Sequence, residues 1–342
     1  MRDKETGLDR NPVEDLPRSV LTGRTLEEIA EGAGYFSEDP PNIKVSIGGR
    51  TLTLTNLNKI MYPEADFSKA GVLNYYIGVS LYILPHLRGR LLTMKRYPDG
   101  VDGDFFYEKS CPGYKPDWLT VTEAGRTKKV AYCTVEDEAG LVWIANLASL
   151  EFHTSLSRSG NISRPTMVVF DLDPGEGMDI LDCARAGVDL RALLAGLGLE
   201  CCAKTSGGKG LHVYIPLNTP VSFQETKDFA HAVALMMQER YPDMIVANMR
   251  KALRKGKILI DWSQNDEHKT TVCAYSLRAR TRPVVSTPVT WDELDAAVEK
   301  KDKGLLFFEV EDVLERVHEK GDLFRPVAVM EQELPAAAHL GR

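Results

Sequence analysis

No apolar run in this chain approaches the ~20 residues that a membrane-spanning helix requires. The opening residues Met1 to Glu5 are mostly charged and carry no apolar leader segment, so a cytoplasmic address is expected. The six cysteines contain no Cys-x-x-Cys pair, and Cys201 and Cys202 are neighbours, which argues against a zinc ribbon or a disulfide framework. The Gly-x4-Gly-Lys-Ser/Thr spacing of a P-loop is absent, as are internal repeats and low-complexity segments. Basic excess is lacking as well. Lys and Arg number 42 against 49 Asp and Glu, a formal charge of −7, so any contact with nucleic acid must rest on local patches. What remains is an ordinary globular composition: 342 residues, 43% hydrophobic, enough for one large domain or two lobes.

The chain is organised around Met167-Val-Val-Phe-Asp171-Leu-Asp173-Pro174. An apolar run bounded by Pro165 on one side and Pro174-Gly175 on the other reads as a buried strand. Side chains alternate along a strand, so Asp171 and Asp173 share a face and repel unless a cation lies between them. A lone Asp-x-Asp-Pro is as often only a turn. About ninety residues on, however, Lys257-Ile-Leu-Ile-Asp261 repeats the pattern of an apolar run ending in an acid. Three strand-end carboxylates suit a site for hard divalent cations. Between them lies Thr205-Ser206-Gly-Gly208-Lys209-Gly-Leu-His212. Its glycines allow close backbone approach to an anion; Ser206, Lys209 and His212 add a hydroxyl, a charge and a donor. Alone this is a hairpin corner; beside three acids it suggests nucleotidyl transfer with two metal ions.

These three motifs, with Leu259-Ile-Asp261-Trp-Ser-Gln-Asn completing the third, resemble the polymerase domain of bacterial DNA ligase D, in the archaeo-eukaryotic primase superfamily. The resemblance runs from about Asn42 to about Val327. It implies an α+β fold of two packed α/β subdomains with mixed sheets, one part similar to an RNA-recognition fold. The irregular mixture of hairpins and crossovers agrees. The chain then divides into an N-terminal extension (1–41), a primase-polymerase catalytic domain (42–330) and a C-terminal tail (331–342) that looks frayed.

The resemblance also assigns residues. Asp171, Asp173 and Asp261 would hold two Mn²⁺ or Mg²⁺ ions, while Ser206, Gly208, Lys209, His212 and Arg278 would grip a nucleoside triphosphate, with His153 near the nucleotide. Asn56, Lys59 and Lys69 match a pocket for the 5′-phosphate at a DNA gap or break. The pair Phe105-Phe106 matches one that holds template; on an extended segment only one of two neighbours can enter the core, leaving the other to stack on a base. Arg254, in the basic stretch Arg250 to Lys257, would hold the strand being copied. The Gly113–Tyr132 segment reads as a mobile hairpin, which in the relatives helps bring DNA ends together.

The implied enzyme is a template-dependent, ribonucleotide-preferring nucleotidyltransferase that fills short gaps or breaks in DNA, located in the bacterial cytoplasm at the nucleoid. End joining with Ku and a separate ligase is one pathway; excision repair is the other. The Lys-x-Asp-Gly motif of ATP-dependent ligases is absent, so a stand-alone polymerase is expected. Two other classes compete. An aspartate-nucleophile phosphatase also opens on strand-Asp-x-Asp, but Pro174 replaces its Gly-Thr turn and no acidic pair accompanies Asp261. A non-catalytic DNA-binding module would not need three strand-end acids.

The remaining pattern predicts a hairpin over Ile43–Thr55 around Gly48-Gly49 and a helix from Ser68-Lys69 through Leu81. It predicts a strand from Leu92, and a helix turning to strand over Leu141–His153. Further helices are predicted over Asp179–Leu197, Gln224–Tyr241, from Thr290, and over Val310–His318, with a short one at Thr25.

Overall fold

Alternating apolar residues around two glycines make the first hairpin. Strand β1 (Asn42–Ile47) pairs antiparallel with β2 (Arg50–Thr55), and Gly48 and Gly49 both adopt the positive φ that the turn demands. The computed structural model describes residues 42–125 and 129–335; the expected Thr25 helix lies outside them. Helix α1 (Lys69–Gly78) starts where Ser68 caps the Gly71 N–H. It stops at Val79, and α2 (Ser80–Leu87) carries on, so the single helix expected there is two. Strands β3 (Leu92–Arg96) and β4 (Phe106–Glu108) follow, then the short hairpin of β5 (Val121–Ala124) and β6 (Val130–Cys133), then α3 (Glu138–Asn146) and β7 (Ser149–Ser155).

Strand β8 (Met167–Pro174) opens the second half. It is followed by α4 (Ile180–Gly196), β9 (Cys202–Thr205), β10 (Leu211–Pro216), α5 (Phe223–Arg240), β11 (Ile245–Val246) and β12 (Ile258–Asp261). Strands β13 (Thr270–Val272) and β14 (Pro288–Val289), then α6 (Trp291–Lys300), α7 (Val310–Lys320) and α8 (Arg325–Val329), complete it.

The six-stranded sheet has the order β11-β12-β8-β10-β9-β14. Its central four strands, with α4 after β8 and α5 after β10, make a βαββαβ unit of antiparallel neighbours, the split arrangement shared by ferredoxin-like and RNA-recognition folds. The four-stranded sheet has the order β13-β7-β3-β4. The expected α+β architecture of two subdomains is therefore present; the six-stranded sheet is mixed, since β11 runs parallel to β12, while the pairs of the four-stranded sheet are antiparallel.

Each sheet has its own apolar core, and β8 serves both. Val168, Phe170 and Leu172 enter the core under α4 and α5, whereas Met167 and Val169 enter the core shared with the smaller sheet. Each such side chain contributes about 1.5–3 kcal/mol when fully buried. Helix α4 sits so close that a methyl group on Gly187 would lie 2.6 Å from the Leu211 side chain, which would have to shift to admit it. Asp171 and Asp173 have the parity of Met167 and Val169. They stand on the face that begins as the seam between the subdomains, and at Asp173 that face is open to solvent.

Three expectations need correction. Cys111 and Cys133 form a disulfide, tying the chain after β4 to β6; a separation of 22 residues without a motif gave no sign of it. Neither Phe105 nor Phe106 enters the core: they are 51% and 43% exposed, because β4 is an edge strand with both faces open. The start of the C-terminal tail is anchored, since Gln332 donates to the Glu200 and Pro216 carbonyls. In the Gly113–Tyr132 segment, β5 and β6 pair as expected, while Arg126, Thr127 and Lys128 lie outside the described residues.

Candidate active site

Register places the acids. Asp171 is the cross-strand partner of Asp261 on one side and of His212 on the other, so the three side chains line one row of the sheet. The His212 Nε2 lies 3.2 Å from Asp171 Oδ1, and its Nδ1 is buried without a partner. Burial works to raise the Asp171 carboxyl, yet His212 and the buried Lys204, with Arg278 adding less, hold it below the usual carboxylate range. Burial, with Lys204 beside it, lowers His212. Asp173 behaves oppositely. Its carboxyl is pushed up to about 7 by its desolvating surroundings and by Asp171 and Asp261, with only Arg254 opposing, although the side chain still reaches solvent. Asp261 is oriented from below: one oxygen accepts from the Ser263 amide (2.9 Å) and hydroxyl (2.6 Å), the other from Gln264 Nε2 (3.1 Å). Asn265 fastens the same turn to β8 by bonding both the N–H and the C=O of Val169.

Among the described residues no three His, Cys, Asp or Glu side chains are drawn together as they would be around a bound ion. The donor set nevertheless fits a hard divalent cation. Three carboxylates share one face, and the repulsion that raises Asp173 is what a cation would relieve.

The glycine-rich turn lies against these strands. Ser206 closes it, accepting from Gly210 N through its hydroxyl at 3.2 Å while its own N–H donates to Gly210 O. Gly207 takes a φ of +66°, and a Cβ there would fall 2.5 Å from the Arg278 side chain; one on Gly210 would fall 2.6 Å from the Leu172 carbonyl. The glycines therefore let the turn press between β8 and Arg278, whose Nη1 donates to Ser206 O at 2.6 Å. Lys209 is exposed on the turn, beside buried Gly208. Gly175, after β8, is needed for a different approach: a Cβ there would overlap the Arg254 carbonyl at 1.7 Å. Arg254 itself folds back to donate to Met249 O at 2.5 Å, within reach of Asp173 electrostatically, and so borders the acids.

A second site lies at the other sheet. Asn56, Lys59 and Lys69, grouped by expectation, line one pocket of about 230 Å³ with Arg96 and Asn146. Asn56 sits in the left-handed region (φ 54°), which turns the chain so that β2 and α1 converge there. Lys69 is only 4% exposed and donates to Thr55 O (2.7 Å) and Oγ1 (3.2 Å); burial, then Lys59 and Arg96, lower its ammonium to about 8. Lys59 meets Asp99 at 2.7 Å, and Arg96 meets Glu108 at 2.7 Å and the Leu147 carbonyl at 2.8 Å. Sequence reasoning missed Arg96; its place beside Lys95 in a strand carried no motif. Phe105, Phe106 and Tyr107 form an exposed aromatic shelf next to it, with Lys95 over Phe105 at 4.1 Å.

His153 joins that shelf, its ring 6.0 Å from Tyr107. It pairs with Glu151, a buried acid that sequence reasoning also missed, although a spacing of two along a strand places both on one face.

A βαββαβ sheet with acids along its open face, a Gly-rich turn beside them and a basic pocket define a nucleotidyltransferase of the primase-polymerase class. The comparisons agree. Residues 68–324 match the family model of the LigD primase-polymerase domain. The multifunctional non-homologous end joining protein LigD of Mycolicibacterium smegmatis is 39% identical over 80% of this chain and 36% of its own length. The bifunctional LigD of Bacillus subtilis is 30% identical over 84% of this chain and 46% of its own. Among solved structures, the polymerase domain of Mycobacterium tuberculosis ligase D in complex with DNA matches with a TM-score of 0.77 and 39% identity, covering 82% of this chain and 99% of that one. The chain belongs to the LigD primase-polymerase domain family, and it spans less than half the length of these LigD relatives.

Proposed function

We propose that this chain is a template-dependent, metal-dependent polymerase that extends primers across short gaps or breaks in DNA carrying a downstream 5′-phosphate. The observation that carries the reading is the pairing of two oppositely charged sites in one family fold: the carboxylates of Asp171, Asp173 and Asp261, and the pocket of Asn56, Lys59, Lys69 and Arg96. Two divalent ions, Mn²⁺ or Mg²⁺, held by the three acids would supply activation of the primer hydroxyl and charge neutralisation at the triphosphate. Ser206, Gly208, Lys209, His212 and Arg278 grip the triphosphate, the amides and cations of the turn answering its charge. His153 meets the sugar, with ribonucleotides preferred.

Phe105 and Phe106 stack on template bases while Arg254 holds the strand near the acids. The pocket reads only a compact dianion, which requires no sequence information. A polymerase of this kind works in end joining, with Ku and a ligase activity as partners, in the cytoplasm at the nucleoid. Filling short gaps in excision repair uses the same geometry. The catalytic unit is 42–330, with 1–41 and 331–342 as appendages.

The test is primer extension with nucleoside triphosphate and Mn²⁺ on two gapped duplexes differing only in the 5′-phosphate. Extension should be favoured by the phosphate, and Lys59→Ala should abolish the preference. Equal extension of both duplexes by the wild type would overturn the pocket. Phosphate release without extension would overturn the polymerase.

A further inference from the structure

A carboxylate taken out of water is costly unless it is paired, and a core is served as well by an apolar residue. Glu151 is 2% exposed and is ringed by nitrogen groups from three segments. His153 Nε2 lies 2.9 Å from its Oε2, Arg278 Nε lies 3.3 Å from the same oxygen, Lys95 Nζ lies 3.6 Å from Oε1, and the Ala279 N–H donates to Oε1 at 3.0 Å. The Arg278 Nε has no aligned acceptor, so its attraction to Glu151 is that of charge. Burial alone would raise this carboxyl; His153, Arg278 and Lys95 together bring it down to about 2, so it is ionised.

Each of the three side chains in that ring has a second engagement further out. Arg278 reaches the glycine-rich turn through Nη1, Lys95 lies over the exposed Phe105 and 5.6 Å from the Tyr107 centroid, and the His153 ring meets Tyr107. Glu151 itself is too deeply buried to meet a ligand. We propose that Glu151 is a positioning residue, fixing His153 as the Nε2–H tautomer and holding Arg278 and Lys95 in place, so that one buried carboxylate sets sugar, triphosphate and template contacts together. An ionised carboxylate only accepts, so Nε2 must carry the proton and Nδ1 is left as an acceptor. A hydroxyl on the sugar can donate to that nitrogen, and a deoxy position cannot. Discrimination between ribo- and deoxyribonucleotides then depends on Glu151 as well as on His153.

This inference rests on the nucleotide reading of His153 and Arg278, and Glu151→Gln tests it, being isosteric and uncharged. In the nucleotide-free protein, ¹⁵N imidazole spectra should show the Nε2–H form for wild-type His153 and a shift toward Nδ1–H in the variant, whose amide can donate to Nε2. With Mn²⁺ and a gapped duplex, KM for ATP should rise about tenfold, the scale of one charge-assisted hydrogen bond, while kcat changes less and the preference for ATP over dATP falls. Glu151→Asp, which keeps the charge, should recover part of both. A folded Glu151→Gln protein with unchanged tautomer, KM and sugar preference would overturn the proposal, and a lower melting temperature with those three unmoved would leave Glu151 a purely structural acid. If the wild type used neither ATP nor dATP, the nucleotide reading would fall, whereas the tautomer of the free protein would still decide whether Glu151 sets His153.

Discussion

Two like-charged constellations stand in this chain, and the protein holds them in opposite ways. The acids Asp171, Asp173 and Asp261 are placed by strand register, on side chains too short to move far from the sheet. The cations Lys59, Lys69 and Arg96 arrive from a turn, a helix start and a strand, and each is tied down by a carbonyl or carboxylate of the protein. The basic pocket is thus partly neutralised before any ligand arrives, whereas Asp173 is left at about 7 with mostly negative company. His212 and Lys204 relieve Asp171, and Ser263 and Gln264 satisfy Asp261, so the repulsion left for a counter-ion is concentrated on Asp173.

The largest expected effect breaks the acid side of that contrast. Asp173→Ala should lower extension by more than about a hundredfold, the upper range for partners one shell further from a metal. Its melting temperature should stay level or rise, because one of three repelling carboxylates is gone. Single-turnover extension and a thermal melt check both halves, and chelation of divalent ions from the wild type should reproduce the loss of activity. Near-normal extension by the variant would remove Asp173 from the chemistry.

The same contrast explains what was legible in the sequence. Strand alternation has a period of two, so Asp171 and Asp173 declare a shared face, and Asp261 after a similar apolar run declares a neighbouring strand. The capping box that opens α6 was readable for the same reason: the signal is local. The basic pocket depends on contacts between residues far apart in the chain. Asn56, Lys59 and Lys69 were reached only through family resemblance, and Arg96 and Asn146 not at all. Glu151 was hidden differently, since an acid in an apolar strand has no motif until its partners Arg278 and Lys95 fold onto it. The exposure of both Phe105 and Phe106 was missed because alternation presumes a strand with one buried face, and β4 has none.

That shelf gives the second effect. Stacking contributes about 1–3 kcal/mol per base, so the Phe105→Ala, Phe106→Ala double variant should weaken binding to a single-stranded template by roughly tenfold. Its preference for a 5′-phosphate should stay intact, because neither ring lines the basic pocket. Fluorescence anisotropy with the two gapped duplexes separates the terms. Loss of the phosphate preference along with template affinity would mean that shelf and pocket are one site.

The smallest effect sharpens the comparison from the basic side. Lys69 has a folded-state value of about 8, below its ordinary 10.5, through burial and then through Lys59 and Arg96. The unfolded chain therefore binds more protons between those values, so the cost of burying the charge is full below about pH 8 and fades as pH rises toward 10.5. Binding runs the other way. A phosphate dianion needs the protonated lysine, so the preference for a 5′-phosphate should be greatest near neutrality and fall as pH rises through about 8. One unit above that value the loss should be at most about tenfold, and less where Lys59 and Arg96 still contribute. Lys69→Arg keeps its charge throughout and should show a flat profile, while Lys69→Met should melt higher than wild type and lose much of the preference at every pH. A wild-type preference that stays constant between about pH 7 and pH 9 would mean that the Thr55 carbonyl and hydroxyl keep Lys69 charged. The two constellations would then differ in how they are assembled and not in how their charges respond.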